Sequence, residues 1–484
     1  MGSLEKFQAA RSTSKEDITL IKVTLQKLGM VEKAELELGD LTIICGENNC
    51  GKTYATYALY SALKYLRSAI SVISIDDNFV NELIDKGTTV ISLSAFFNTL
   101  PEIVRSASKK YSKELPRVFA SKTDHFAGSR FCLDISSPPI SLYKNITRTW
   151  SFGRKASWIF RFSAEKMEVQ IQTATEWPGN EPRFRLIARN VVENAIRHYL
   201  LHPIVPDVYI SSTERTGVVM FQRELDFTRN RLIDALGDKT RNLSSELLFS
   251  EFRGDYPVPV RENVDFIRSL QSIENNDGII KLHPEIGVAL SEIVGGTYKA
   301  SKDGFITYTP AKAKRNMKLG LSESSSSVRA LLDISFYLRN VAKPGDLLMI
   351  DEPELNLHPS NQRKLARLLA RLVNVGVKVF MTTHSDYIVK EINTLLLLNQ
   401  EGAIYSKIAE EEKYSKDELL DASKIRVYIA KKCMLKKDGN KRRSLCHSFV
   451  PARLSQETGI YVESFDKTID EMNRIQDRIL WEAQ

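Results

Sequence analysis

Across 484 residues the chain sets 68 Lys plus Arg against 60 Asp plus Glu, carries a formal net charge of +8 and is 43% apolar. That length and balance suit a globular protein of two or three domain equivalents and exclude a single small module. No apolar run approaches the roughly 20 residues that span a bilayer, and Met1 to Glu16 lacks the apolar core of a secretory signal. A cytoplasmic protein without a membrane partner is therefore expected. Five cysteines with no CxxC pair support neither a disulfide framework nor a zinc ribbon.

In chain order, Ile18 to Leu28 and Val31 to Leu38 read as strands joined at Gly29, and Leu41 to Cys45 as a third, apolar strand. The next eight residues, Gly46-Glu47-Asn48-Asn49-Cys50-Gly51-Lys52-Thr53, satisfy GxxxxGK[ST]. They stand directly after a buried-strand pattern and before a helical stretch, Tyr54 to Leu66, which is the context a phosphate loop requires. Backbone N–H groups freed by the glycines would cradle phosphates, Lys52 would place a charge on the β and γ phosphates, and Thr53 would ligate Mg²⁺.

From Ser71 to Phe126 helical patterns alternate with short apolar strands. Arg130 to Ile135, Ser157 to Ser163 and Lys166 to Gln172 alternate as antiparallel strands do, and Arg189 to Leu201 reads as an amphipathic helix. Tyr209 to Gly217 resembles the strand and ERxG segment of bacterial defence ATPases, a resemblance that makes Arg215 a candidate for a nucleotide-proximal or interface role. A hairpin around Gly295-Gly296 leads through Lys312, Lys314, Arg315 and Lys318 to a serine-rich run, Leu321 to Arg329, placed to head a helix Ala330 to Val341.

Asp346 to Ile350 forms an apolar strand that ends in Asp351-Glu352-Pro353-Glu354-Leu355-Asn356-Leu357-His358-Pro359. Asp351 at the strand end would hold Mg²⁺ through water, and Glu352 would orient or deprotonate the attacking water. A helix Asn361 to Val373 and a strand Val377 to Thr382 follow, and His384 stands where a γ-phosphate sensor would sit. Beyond Leu398, Lys424 to Ala430 is strand-like, Lys431 to Arg443 holds seven basic residues around Asp438-Gly439-Asn440, and Asp466 to Trp481 has apolar residues at helical spacing. This tail is expected to lie outside the nucleotide-binding core, and it is too short and too poor in carboxylates for a Toprim nuclease.

With these motifs the sequence resembles the ATP-binding-cassette type ATPases. The DEPExNLHP form narrows the likeness to the branch shared by structural-maintenance-of-chromosomes heads, the overcoming-lysogenisation-defect nucleases and bacterial defence ATPases. The resemblance covers Ile18 to Ser68 and about Val208 to Leu398. It implies an α/β P-loop head comprising an N-terminal lobe (1–70) and a C-terminal lobe (206–400), with an inserted α+β region (71–205) and a short extension (401–484).

By the same resemblance Asn356 to His358 is the D-loop, His384 the switch histidine and the serine run the signature. Gly46, Asn48, Asn49, Cys50, Gly51, Lys52 and Thr53 would then bind ATP in one subunit, and Ser324, Ser325, Ser326 and Ser327 would grip the γ-phosphate from a second. Glu352 and His384 are the catalytic pair, and Thr53 and Asp351 the Mg²⁺ pair. The resemblance further implies slow hydrolysis, a homo-oligomer, a separate Toprim or HNH nuclease effector as in the PARIS and Septu types, and a phage-encoded trigger. Direct nucleic-acid binding is left open. A RecF-like ATPase that clamps duplex DNA is the alternative.

Overall fold

The computed structural model describes residues 21–68, 76–136, 142–152, 156–173, 182–221, 256–273, 276–301, 305–312, 317–436, 442–461 and 463–482. Lys314, Arg315 and the turn Asp438 to Asn440 lie outside these residues. By compactness the described chain divides into two units, one comprising residues up to 24, 62–113 and 131–207, the other 25–61, 114–130 and 208 onward, with one boundary inside the helix Lys52–Ser68.

The smaller unit is α+β. Four antiparallel strands stand in the order Thr88–Ser92, Glu168–Thr173, Ala156–Ser163, Ile146–Phe152. Alternation along them buries Phe160, Phe162, Val169 and Ile171, and Phe162 stacks on Tyr199 of the helix Pro182–Leu201 with ring centroids 5.1 Å apart.

The larger unit holds the candidate site. Its strands are β1 (Val31–Glu37), β2 (Leu41–Gly46), β3 (Val208–Ser211), β4 (Leu347–Asp351), β5 (Lys378–Thr383), β6 (Ile425–Lys436) and β7 (Arg443–Pro451). In the sheet they lie in the order β1-β7-β6-β2-β5-β4-β3. Every pair is parallel except β6 and β7. β2 and β4 are buried along their whole length, as strands covered on both faces must be, and this is why they read as unbroken apolar runs. The helices that matter below are α1 (Lys52–Ser68), α2 (Ser326–Ala330), α3 (Leu332–Asn340), α4 (Pro359–Asn374), α5 (Asp386–Leu397) and α6 (Glu463–Glu482).

Two expectations need correction here. The tail is no appendage to the core, because β6 pairs with β2 over six residues, Ile425 to Ala430 against Leu41 to Gly46. Its parallel register gives the phosphate-loop strand a neighbour on each side, and it was invisible beforehand because the two strands are nearly 400 residues apart in sequence. The expected helix Ala330 to Val341 starts two residues later, as α3, and a separate short helix, α2, covers the end of the serine run before a break at Leu331 (φ −108°, ψ 3°). In α6 the side chains from Glu471 to Trp481 are exposed, the apolar Met472, Ile475, Ile479, Leu480 and Trp481 among them.

Candidate active site

Three parallel strands deliver the candidate residues to one edge. Register sets Cys45 of β2 beside Thr383 of β5 and Asp351 of β4 beside Thr382. The phosphate loop, His384 and the acidic run therefore all leave the sheet at the carboxyl ends of its strands, where parallel sheets hold their ligands.

The phosphate loop bends through positive φ at Gly46 (+142°), Asn49 (+60°) and Gly51 (+85°) before α1 begins at Lys52. A Cβ on Gly46 would stand 2.5 Å from the Ala430 carbonyl oxygen of β6, and one on Gly51 would stand 2.7 Å from Val31 Cγ2 of β1. Both glycines are thus required by the neighbouring strands as well as by phosphate access. Asn48 and Asn49 are exposed. Cys50 is buried, its thiol lies 3.6 Å from the Asn48 carbonyl, and burial raises its pKa. It is a packing residue rather than a nucleophile.

Lys52 is 5% exposed and its ammonium is turned into the loop, donating to the carbonyls of Gly46 (3.1 Å) and Glu47 (2.7 Å). Burial lowers its pKa, against the pull of Cys50, Glu352 and Asp351. Its third contact is His384 Nδ1 at 3.4 Å, and His384 Nε2 lies 3.2 Å from Glu352 Oε1. Because the ammonium only donates, Nδ1 must accept, which assigns the imidazole proton to Nε2, from where it donates to Glu352. The bond from His384 holds the Glu352 carboxyl below its ordinary range, outweighing burial, with Lys52 and Arg215 adding to the effect. Lysine, histidine and glutamate so form one polarised chain that keeps Glu352 ionised.

Glu352 is fixed in an unusual way. Its backbone is left-handed (φ 52°), a conformation that costs a non-glycine residue on the order of 1 kcal/mol or more. Its N–H donates to the Thr382 carbonyl at 3.1 Å, and its own carbonyl accepts from Arg215 Nη2 at 2.7 Å. Glu354, two residues on, anchors the histidine loop by accepting from the His384 N–H (2.6 Å) and the Thr383 hydroxyl (2.9 Å). Burial raises its pKa, and these bonds oppose the rise. His358 is exposed and caps α4, its ring accepting from the Ser360 N–H at 3.3 Å.

Asp351 is fully buried. One carboxylate oxygen accepts from the Thr382 hydroxyl, while the other, Oδ2, has no hydrogen-bond partner among the described residues. Burial raises its pKa to about 6, with the hydroxyls of Thr382 and Thr53 opposing. A buried carboxylate oxygen left without a donor is costly unless something else satisfies it. Oxygen donors from one carboxylate and one hydroxyl suit Mg²⁺, which keeps most of its waters when bound.

The serine run divides. Ser324 is turned inward, its hydroxyl donating to the Gly320 carbonyl at 2.8 Å, so it presents nothing outward. Ser325 caps α2, its hydroxyl accepting from the Val328 N–H at 3.4 Å and lying 2.8 Å from the Ser327 hydroxyl. Ser325 and Ser326 are exposed.

Glu354 and Thr382 carried no role in the sequence, and Arg215, expected near the nucleotide or at an interface, is instead buried on main-chain carbonyls. The third acid of Asp351-Glu352-Pro353-Glu354 was the one available signal, whereas a threonine one strand away has none.

A phosphate loop, a buried strand-end aspartate and a glutamate aligned by a histidine define a P-loop ATPase head. In agreement, the family model described as an AAA ATPase domain matches residues 19–389. The chain belongs to that ATPase family and binds ATP. No curated protein matches it. Among solved structures it is similar to an SMC head bound to the C-terminal winged-helix domain of ScpA (11% identity, 91% of this chain, 99% of that one, TM-score 0.33). It is also similar to the Thermotoga maritima SMC head domain (9%, 90% and 100%, TM-score 0.30). A third is the Pyrococcus furiosus SMC head with an extended coiled coil bound to the C-terminal domain of ScpA (12%, 95% and 100%, TM-score 0.30). The family assignment rests on the match over residues 19–389 alone.

Proposed function

We propose that the chain hydrolyses Mg-ATP slowly at sites shared between two copies, and that this cycle gates a separate nuclease effector of Toprim or HNH type in an antiphage defence complex. The observation that carries the reading is the chain from Lys52 through His384 to Glu352 (3.4 and 3.2 Å). It joins the group that would bind the γ-phosphate to the group that would take the proton of the attacking water. When phosphate draws Lys52 away, His384 Nδ1 loses its donor while Nε2 keeps its bond to Glu352, so nucleotide binding and the state of the base are linked through one imidazole.

Thr53 and Asp351 would hold Mg²⁺, and the ion, when bound, supplies charge neutralisation at the β and γ phosphate oxygens. Ser325 and Ser326 are exposed at the start of α2, which supports a role in closing the site of a second copy. The defence role draws on the DEPExNLHP form of Asp351 to Pro359, and a phage-encoded protein is its expected trigger.

The test is sedimentation of the Glu352→Gln protein with and without Mg-ATP, alongside a phage-plating assay with the neighbouring nuclease gene. An ATP-dependent dimer and loss of protection are expected. A Glu352→Gln protein that stays monomeric in saturating Mg-ATP would defeat the shared site, and full protection by Lys52→Ala would defeat the gating role.

A further inference from the structure

Arg215 is 1% exposed, among the most deeply buried large side chains of the protein. It opens the short helix Arg215–Met220, four residues after β3 ends at Ser211. All its hydrogen bonds go to main-chain carbonyls. Nε donates to Ala330 (3.0 Å), Nη1 to Ser212 and Asp351 (both 2.8 Å), and Nη2 to Glu352 (2.7 Å). A surface arginine paired with an acid would be worth little. A buried guanidinium that spends four donors on carbonyls of three separate segments is instead a rigid fork that fixes their spacing.

Two of those carbonyls, Asp351 and Glu352, flank the Glu352 Cα. The peptide on its N-terminal side is held at one end by Arg215 on the Asp351 carbonyl and at the other by Thr382, which accepts the Glu352 N–H. The next peptide is held by Arg215 Nη2. With both planes pinned, the left-handed backbone of Glu352 (φ 52°) has no route to relax. The direction in which the carboxylate leaves the chain, toward His384, is fixed as a result. The remaining donor reaches Ala330, the last residue of α2, the helix that Ser325 caps. One side chain therefore ties the Glu352 turn to the serine segment.

We propose that Arg215 is the positioning residue for Glu352, holding its backbone in the strained conformation that aims the carboxylate at the attacking water and linking that conformation to the serine segment. The inference rests on the reading of Glu352 as general base. The guanidinium is engaged by main-chain carbonyls, so Arg215 acts through the backbone of Glu352 rather than on the reacting atoms. Lysine cannot replace it, because a single ammonium cannot span carbonyls arranged for a planar fork.

The test is a double-mutant cycle in ATP turnover by the full chain, with Arg215→Lys, Arg215→Gln, Glu352→Gln and each combination. Arg215→Lys and Arg215→Gln should bind ATP with wild-type affinity and KM but lose about 10- to 100-fold in kcat, the scale of a misplacement of about 1 Å. Each double variant should turn over no more slowly than Glu352→Gln alone, because the second change removes support for a group already disabled.

Losses that multiply in the double variants, a wild-type kcat in both single variants, or loss of ATP binding or of folding in both would overturn the proposal. That last outcome would make the arginine a holder of the fold. Wild-type turnover by Glu352→Gln is a separate result that would remove the general base itself.

Discussion

Replacing Asp351 by asparagine should stabilise the nucleotide-free protein and disable the nucleotide-bound one, and pH separates the two effects. Asp351 is fully buried with Oδ2 unpartnered, and burial lifts its pKa from the ordinary 3.8 to about 6. A folded-state pKa above the unfolded one works against folding once the unfolded chain has lost the proton. The penalty is absent below about pH 3.8, grows through the interval and is complete above about pH 6. At 1.36 kcal/mol per pH unit a gap of about two units amounts to about 3 kcal/mol.

Asparagine has no proton to lose. In urea unfolding of the metal- and nucleotide-free chain, Asp351→Asn should therefore gain about 3 kcal/mol on wild type between pH 4 and pH 7. Mg-ATP should reverse the order, because it stabilises only the form that binds it and the variant lacks the charge that holds the ion. Wild-type affinity for Mg-ATP should fall about tenfold per unit below about pH 6, as a proton competes for the same carboxylate. Stability curves of the two proteins that run parallel from pH 4 to pH 7 would refute the account of Asp351 as a strained, cation-seeking group.

Lys52→Ala should weaken ATP binding by about 100-fold or more, the worth of a buried charge aimed at phosphate, as read by calorimetry. Substituting Ser325 and Ser326 with larger residues should depress turnover while leaving ATP binding to the isolated chain nearly unchanged, and an equal loss in both measurements would make the segment structural. Truncation after Tyr461 should leave every described strand of the site-bearing sheet in place and preserve turnover, but lose co-purification with the nuclease if α6 and its exposed Met472, Ile475 and Ile479 form the docking face. Truncation from Lys424 removes β6 and β7 and should abolish cooperative unfolding, so a well-folded, active product would show that these strands are dispensable.

The motifs were legible because each is local. Gly46 to Thr53 follows a strand and opens a helix within a short stretch of chain, and Asp351 and Glu352 end a run of apolar residues, so composition and order alone identified them. The same locality explains what was missed. Arg215 reads as one arginine in a turn, and only the fold shows that its four acceptors come from Ser212, Ala330, Asp351 and Glu352. Thr382 reads as the end of a strand, yet its carbonyl and hydroxyl fix both Glu352 and Asp351. Within the serine run the pattern could not tell the inward Ser324 from the outward Ser325 and Ser326, because facing is decided by the Gly320 carbonyl behind it.

The tail shows the limit most sharply, since its basic, hairpin-like sequence suggested a surface extension. Strand β6 is largely buried up to Ala430 and largely exposed from Lys431 onward, the pattern of a strand that packs beside β2 over its first half and runs on paired with β7 alone over its second. The buried half is the part that pairs with β2, and the seven basic positions fall after it. The contact of Gly46 with Ala430 then follows from packing two parallel backbones where the phosphate loop turns away, and any side chain at 46 would push β6 aside. A displacement of β6 at Ala430 would therefore be felt directly by the phosphate loop at Gly46.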